Sequence, residues 1–185
     1  MKAINLKCEY LNNPLGIELV KPRLMWNCEG GLKQAAYEVI TYKNGAKDWD
    51  SGMVESSSMY CVYEGSLSSR DRITWQVRLY DENREAGELS EEAVFEMGLL
   101  SASDWQAKWI TGNYKVNKKE RYPTDMFRKT FSCEKVRRAR LYITACGLYE
   151  ATLNGTRIGK YVLAPGYTDY KKRIQYQTYD VTELL

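Results

Sequence analysis

Arg72-Ile73-Thr74-Trp75-Gln76-Val77-Arg78-Leu79-Tyr80 sets Ile73, Trp75, Val77 and Leu79 on one side of an extended chain and Thr74, Gln76 and Arg78 on the other. A period of two over nine residues is the signature of a half-buried β-strand. Working outward, Leu24, Trp26 and Cys28 alternate with Met25 and Asn27, and Ala36-Tyr37-Glu38-Val39-Ile40-Thr41-Tyr42 is rich in β-branched and aromatic residues. Both segments read as strands. Ala93-Val94-Phe95-Glu96-Met97 closes the series. Breakers fall between these runs at Glu29-Gly30-Gly31, Lys43-Asn44-Gly45, Asp50-Ser51-Gly52, Glu64-Gly65-Ser66 and Asp81-Glu82-Asn83. Many short strands separated by such turns indicate a β-sandwich. No segment of helical length carries helical periodicity with a cap at each end, so the chain is expected to be all-β.

Composition agrees with folded, water-soluble domains. Of 185 residues, 44% are hydrophobic and 28% charged, and no apolar run approaches the ~20 residues of a membrane helix. Met1 to Cys8 holds an early Lys but no continuous apolar stretch, so no secretory leader is read and a cytoplasmic location is expected. The five cysteines (Cys8, Cys28, Cys61, Cys133, Cys146) are widely spaced without a Cys-x-x-Cys pair, which suggests free thiols in a reducing compartment. Histidine is absent, which excludes His-dependent triads and most catalytic zinc sites.

The net charge of +3 conceals a division. Residues 1–105 hold 11 Lys or Arg against 17 Asp or Glu, a net of −6, whereas residues 106–185 hold 16 against 7, a net of +9. The basic part also has nine of the fifteen tyrosines, which suits an anionic partner such as an acidic polysaccharide or nucleic acid. Two domains are therefore expected. The order of strands over residues 1–98, with Trp26 early and Tyr37 on the next strand, resembles fibronectin type III and related immunoglobulin-like domains. Trp26 and Trp75 are in phase with the buried faces of their strands, so they read as core and not as a sugar-stacking pair. Asp48 and Asp50, around Trp49, read as solvated loop charges; a glycosidase pair would need opposed carboxyls across a cleft.

Residues 99–110 form the joint. Leu99-Leu100 and Trp105 to Ile110 are too apolar for a flexible linker, so a docked connection is expected. A polar stretch, Gly112 to Asp125, reads as a mobile loop. Strand signals resume over residues 138–144 and 148–153, Asn154-Gly155 supplies the dipeptide of a type I′ hairpin turn, and Arg173 to Tyr179 gives a last strand. Asn154-Gly155-Thr156 is also formally a glycosylation sequon, but the turn reading takes precedence without a visible leader.

Asp104-Trp105 with Ala107-Lys108-Trp109-Ile110, Arg138 to Glu150, Leu153-Asn154-Gly155-Thr156-Arg157-Ile158-Gly159, Pro165-Gly166-Tyr167-Thr168-Asp169-Tyr170 and Tyr176-Gln177-Thr178-Tyr179-Asp180-Val181-Thr182 resemble, in order and spacing, the non-catalytic N-terminal region of bacterial α-L-rhamnosidases. The terminal run alone is shared with jelly-roll domains of β-galactosidases; the joint and the Pro165 to Tyr170 loop distinguish the two. The resemblance implies a fibronectin-like domain (1–98), the joint (99–110) and a partial jelly-roll, galactose-binding-like domain (111–185). It also implies that the (α/α)6 catalytic barrel of such enzymes has no counterpart here, and that no catalytic residue is to be expected. In some members of the family the jelly roll binds L-rhamnose with calcium, so calcium is an expected ligand if this domain binds sugar; no other cofactor is implied.

One loop gathers chemistry: Asp169-Tyr170-Lys171-Lys172-Arg173. Tyr167, Asp169, Tyr170 and Arg173 are the candidate ligand-binding residues, the tyrosines offering a ring face and a hydroxyl each; a solvated turn is the plainer reading. Three functions compete: a scaffold for the remaining domains of a rhamnosidase-like enzyme, a carbohydrate-binding module for rhamnose or rhamnose-containing acidic glycans, and a binder of anions or single-stranded nucleic acid. A jelly roll needs about eight strands, whereas this part offers four or five. Open strand edges recruit partners, so a homodimer or domain swap through residues 138–185 is expected.

Overall fold

The structure is a computed structural model that describes residues 1–117 and 119–185. It divides into two compact units, Met1–Asp104 and Trp105–Leu185. Among the described residues no helix is long and apolar enough to cross a membrane.

The first unit contains β1 (Lys2–Cys8), β2 (Arg23–Glu29), β3 (Ala36–Lys43), β4 (Ala46–Asp50), β5 (Val54–Glu55), β6 (Tyr60–Val62), β7 (Arg72–Tyr80), β8 (Ala86–Leu89) and β9 (Ala93–Glu96). Its ladders run β4-β3-β7-β8-β1-β2-β6, with β5 added to β3 and β9 to β7. The β1–β8 link is a single parallel pair, Lys2↔Glu88, so the strands form two antiparallel sheets folded into a sandwich. β7 is its spine. Ile73, Trp75, Val77 and Leu79 are all fully buried, opposite Lys43, Thr41, Val39 and Tyr37 of β3. The facing layer adds Leu24, Trp26 and Cys61, while β9 and its extension contribute Phe95 and Met97. Each such large apolar side chain contributes ~1.5–3 kcal/mol when fully buried. Edge-to-face rings bind the layers: Trp26 on Tyr37 at 4.9 Å, Trp49 on Tyr63 at 5.5 Å and Tyr63 on Phe95 at 5.9 Å. Trp26 and Trp75 are thus core residues; the Trp26 indole donates to Gln34, whose amide donates in turn to the Ser56 and Ser58 carbonyls.

β1 and β4 are strands that the alternation does not reveal. In β1 the register shifts between Ile4 and Lys7, with Asn5 at φ 52°, so the apolar positions fall out of phase. In β4 the shift lies between Thr41 and Tyr42 of the partner strand: Thr41 faces Trp49 and Tyr42 faces Lys47, leaving Asp48 as the extra, bulged residue. This corrects the reading of Asp48 and Asp50 as solvated loop charges. The bulge turns Asp48 toward the Tyr63 hydroxyl, which donates to it, and toward Lys43 at 3.8 Å. Asp50 pairs instead with Lys47 at 2.5 Å and accepts from the Gly52 N–H. Lys43 also binds Asp71 at 2.9 Å, so a partly buried charge cluster closes this end of the sandwich.

Ser69 and Arg70 hold the end of the first unit: the Ser69 hydroxyl donates to the Asp104 carboxylate and accepts from the Leu100 N–H, and Arg70 donates to the Asp104 carbonyl at 2.7 Å. The Ser69 hydroxyl, with the Ser101 N–H, keeps the Asp104 carboxyl below its ordinary value.

The second unit is slighter. β10 (Arg140–Ile143) pairs with β13 (Gln177–Asp180), and β11 (Thr152–Leu153) with β12 (Thr156–Arg157). Asn154 and Gly155, at φ 50° and 80°, make the expected tight turn between β11 and β12. The expected strands were longer: 138–144 contracts to 140–143, 148–153 to its last two residues, and 173–179 moves to 177–180. Gly147 at φ 133° breaks the chain ahead of Tyr149, which keeps only a single bridge to Ala164. The core is Ile158, Tyr179 and Val181, packed by Leu141, Ile143, Tyr149, Leu153 and Leu184. Arg140 clamps Asp180 across the ladder at 2.8 Å. Trp105 packs against Tyr176 at 5.7 Å, whereas Trp109 and Ile110 of the expected docked joint are exposed. Between Gly112 and Asp125 no strand forms among the described residues; Tyr114 stacks on Tyr122 at 4.9 Å and donates to Asp125. Lys118, within that expected loop, lies outside the described residues.

Two substitutions probe the two cores separately. Leu79→Ala is expected to lower the urea stability of the first unit by ~2–5 kcal/mol, since a large-to-small change in a sealed core leaves a cavity. Gly159→Ala strains a φ of 73° and sets a Cβ 2.3 Å from the Tyr179 ring. It is expected to cost ~1–3 kcal/mol in the second unit while leaving the first unit's transition in place.

Candidate functional site

The loop from Leu163 to Arg173 leaves the β12 region and returns to β13. Its anchor is a chain of hydrogen bonds running out of the small core. The Gln177 amide N–H donates to the Pro165 carbonyl at 3.2 Å, which leaves its amide oxygen for the Tyr149 hydroxyl at 2.9 Å. With its proton committed to Gln177, Tyr149 accepts from the Tyr179 hydroxyl at 3.1 Å. The Tyr149 N–H donates to the Ala164 carbonyl at 2.8 Å, fastening the base of the loop, where the Ala164–Pro165 peptide is cis. Burial is the main cause that raises the Tyr149 phenol above the ordinary tyrosine value of 10.0.

The loop tip is closed by Asp169. Its carbonyl accepts from the N–H groups of Lys172 and Arg173 at 2.8 and 2.9 Å, and its carboxylate accepts from the Lys171 N–H at 3.1 Å and pairs with Lys172 at 3.7 Å. The Thr168 hydroxyl donates to the Arg173 carbonyl. An aspartate two residues ahead of the amide it binds is a turn-former, so Asp169 is largely engaged in shaping the loop. Tyr167 and Tyr170 meet edge to face at 5.5 Å.

The four candidate residues therefore divide. Tyr167 is 88% exposed and presents its ring to solvent. The Arg173 guanidinium is exposed, with no hydrogen-bond or ion-pair partner among the described residues. Asp169 is committed to the turn. Tyr170 departs from the expectation that both tyrosines offer a hydroxyl: its hydroxyl is buried and lacks a partner, so only part of its ring faces outward. What remains available is the exposed Tyr167 ring and, on the same loop, the exposed Arg173 and Lys171 cations, groups suited to an anionic or hydroxyl-bearing ligand with an apolar face. The donor set does not fit calcium, which takes six to eight oxygens: the loop has one carboxylate, already bound, beside three cations. Among the described residues, no three Cys, Asp or Glu side chains converge to hold a metal ion.

The Gln177 and Tyr149 anchor gave no sequence signal beyond its place in the resemblance, because its partners are far apart in the chain. Arg140 and Asp180 were equally hidden, since each sits on a strand whose pairing the alternation does not identify.

Residues 3–101 match the model of the Rha78A-like, N-terminal immunoglobulin domain, and residues 134–185 match that of the alpha-L-rhamnosidase N-terminal domain. An alpha-L-rhamnosidase of Formosa agariphila is 38% identical over 195 residues, an alignment covering 96% of this chain and 21% of the relative. Among solved structures, an alpha-L-rhamnosidase from Dictyoglumus thermophilum superposes with a TM-score of 0.86 at 38% identity, over all of this chain and 24% of that one. The enzyme from Aspergillus terreus superposes with a TM-score of 0.80 at 31% identity, over all of this chain and 22% of its own. The chain thus spans about a fifth of the length of the relatives it matches.

Alkali provides a check on the buried tyrosine chain. A phenol whose folded value is raised contributes stability that is full below pH about 10 and falls as pH rises through the folded value. Thermal melts are expected to show the second unit losing stability above pH about 10. Tyr149→Phe should flatten that decline while lowering neutral-pH stability by ~0.5–1.5 kcal/mol for the lost hydrogen bond.

Proposed function

Since the chain belongs to the Rha78A-like N-terminal immunoglobulin domain family and carries an α-L-rhamnosidase N-terminal domain segment behind it, we propose that it acts as a non-catalytic scaffold within a rhamnosidase-like enzyme, supporting and orienting further domains. The observation that carries this reading is the match of both units, in order, to N-terminal domains of enzymes about five times as long. The local chemistry is consistent with it. Asp48 and Asp50, the one closely spaced carboxylate pair that invited a catalytic reading, are separated by the β4 bulge and neutralised by Lys43 and Lys47. Hydrolysis of a glycoside by two carboxyls needs both to face one cleft.

A second reading rests on Tyr167 and Arg173: the loop of the second unit binds a rhamnose-containing acidic glycan, with the Tyr167 ring against a sugar face and Arg173 on a carboxylate. The open edges of the β10–β13 ladder support a further proposal, self-association through residues 138–185.

The purified chain is expected to leave an aryl α-L-rhamnoside intact; hydrolysis at a rate proportional to chain concentration would refute the scaffold. Calorimetry with an acidic rhamnose-containing oligosaccharide tests the second reading. There, binding should weaken as salt rises and fall at least fivefold in Arg173→Ala, whereas equal retention of single-stranded DNA would assign the surface to anions in general. Scattering across a concentration series should show a rising mass; a constant monomer would remove self-association.

A further inference from the structure

The first unit has a depression of about 310 Å³ at the edge of its sandwich, where β4 and β5 come close to the end of β6. Its walls include Tyr37, Trp49, Asp50, Val54, Val62 and Glu64. This volume is at the lower end of the ~300–1,000 Å³ common for small-molecule sites. Two of its polar side chains are already satisfied. Asp50 is paired with Lys47 and the Gly52 N–H, and the Ser51 hydroxyl accepts from the Val39 N–H and donates to the Gly52 carbonyl. Two are not.

Tyr37 is only 7% exposed and its ring is fixed against Trp26, yet its hydroxyl has no partner among the described residues and is not sealed from solvent. Glu64 is exposed, and its carboxylate likewise has no hydrogen-bond or ion-pair partner among the described residues. The same depression is thus lined by a phenol on a fixed ring, an indole and an unpaired carboxylate, a donor and an acceptor beside an aromatic face.

We propose that this depression is a subsite for one neutral pyranose unit, with Trp49, Val54 and Val62 forming the apolar wall and the Tyr37 hydroxyl and Glu64 carboxylate binding the sugar hydroxyls. Chemistry selects this class over its competitors. An anion would meet two carboxylates in a unit whose sequence is net acidic. A cation would find one of those carboxylates neutralised by Lys47 and the other exposed, where ionic attraction is weak. A purely apolar ligand would leave the Tyr37 hydroxyl unpaired at a cost. A pyranose offers an apolar face for the indole and hydroxyls for both free groups.

The site is independent of the loop in the second unit and of the scaffold reading. The test is a titration of the whole ¹⁵N-labelled chain with methyl α-L-rhamnopyranoside, methyl β-D-glucopyranoside and methyl β-D-galactopyranoside, and separately with tetramethylammonium. At least one sugar should give saturable shifts confined to residues around Tyr37, 49–54 and 61–64. Its affinity should fall at least fivefold in Glu64→Ala, whose exposed side chain the fold does not need, and comparably in Tyr37→Phe, which keeps the ring. Four outcomes would overturn the proposal: no saturable shift there with any sugar, equal affinity in wild type and Glu64→Ala, saturation by tetramethylammonium in place of sugar, or sugar shifts confined to residues 163–173. The last would support the second-unit reading alone.

Discussion

The eight-pair ladder between β3 and β7, from Ala36↔Tyr80 to Lys43↔Ile73, is the constraint on which the first unit depends. Because side chains alternate strictly along both strands, fixing one pair fixes which residues face inward on both. Tyr37, Val39 and Thr41 are thereby set beside Leu79, Val77 and Trp75, and a slip of one residue would bury Glu38 and Arg78, which instead pair on the outer face at 3.2 Å. Thr41 is the instructive member. Its hydroxyl is fully buried but donates to the Trp49 carbonyl and accepts from the Trp49 N–H, so the polar atom in the core also secures the edge strand at its bulge.

That bulge carries consequences beyond the strand. By admitting Asp48 as an extra residue it directs Asp48 and Trp49 together onto Tyr63, and sends Lys47 and Asp50 to the other side as a pair. Tyr63 is fully buried and donates to Asp48, which raises its phenol well above the ordinary tyrosine range, burial being the larger cause. Gly65 belongs to the same device, since a Cβ there would collide with the Tyr63 hydroxyl. The edge of the sandwich is therefore a wall of packed rings with Asp48 and Asp50 paired, in which the unpaired Tyr37 hydroxyl and Glu64 carboxylate stand out.

The fold was legible where period-two alternation was clean and two-sided. Arg72–Tyr80, Leu24–Cys28 and Ala36–Tyr42 are strands because their apolar residues face one core, and the Asn154-Gly155 turn forms because its φ values suit few other dipeptides. It was illegible where a bulge shifts the phase, as in β1 and β4, and where the second unit has too few buried residues to impose a period. In the candidate loop, residue types indicated chemistry but not availability. Asp169 and Arg173 both look like ligand groups in sequence; only the backbone geometry shows that one carboxylate is spent on Lys171 and Lys172 while the guanidinium is left free.

The same distinction bears on what kind of function each unit can host. In the second unit, the loop stands on a single thread of hydrogen bonds through Gln177 and Tyr149, and its exposed groups are long or mobile-tipped side chains that must be ordered when a ligand binds. Ordering such side chains costs ~0.5–1.5 kcal/mol each, so binding there gains mainly from charge and weakens in salt. In the first unit, the Tyr37 hydroxyl is already held by a fully packed sandwich, so little conformational freedom remains to be lost. A neutral ligand, with no charge to draw it, can be retained only by a surface ordered in advance. The Tyr37 and Trp49 rings of the sandwich meet that requirement, leaving only Glu64 to be ordered, and the slight second unit does not, although family resemblance alone would direct a search for sugar binding to the latter.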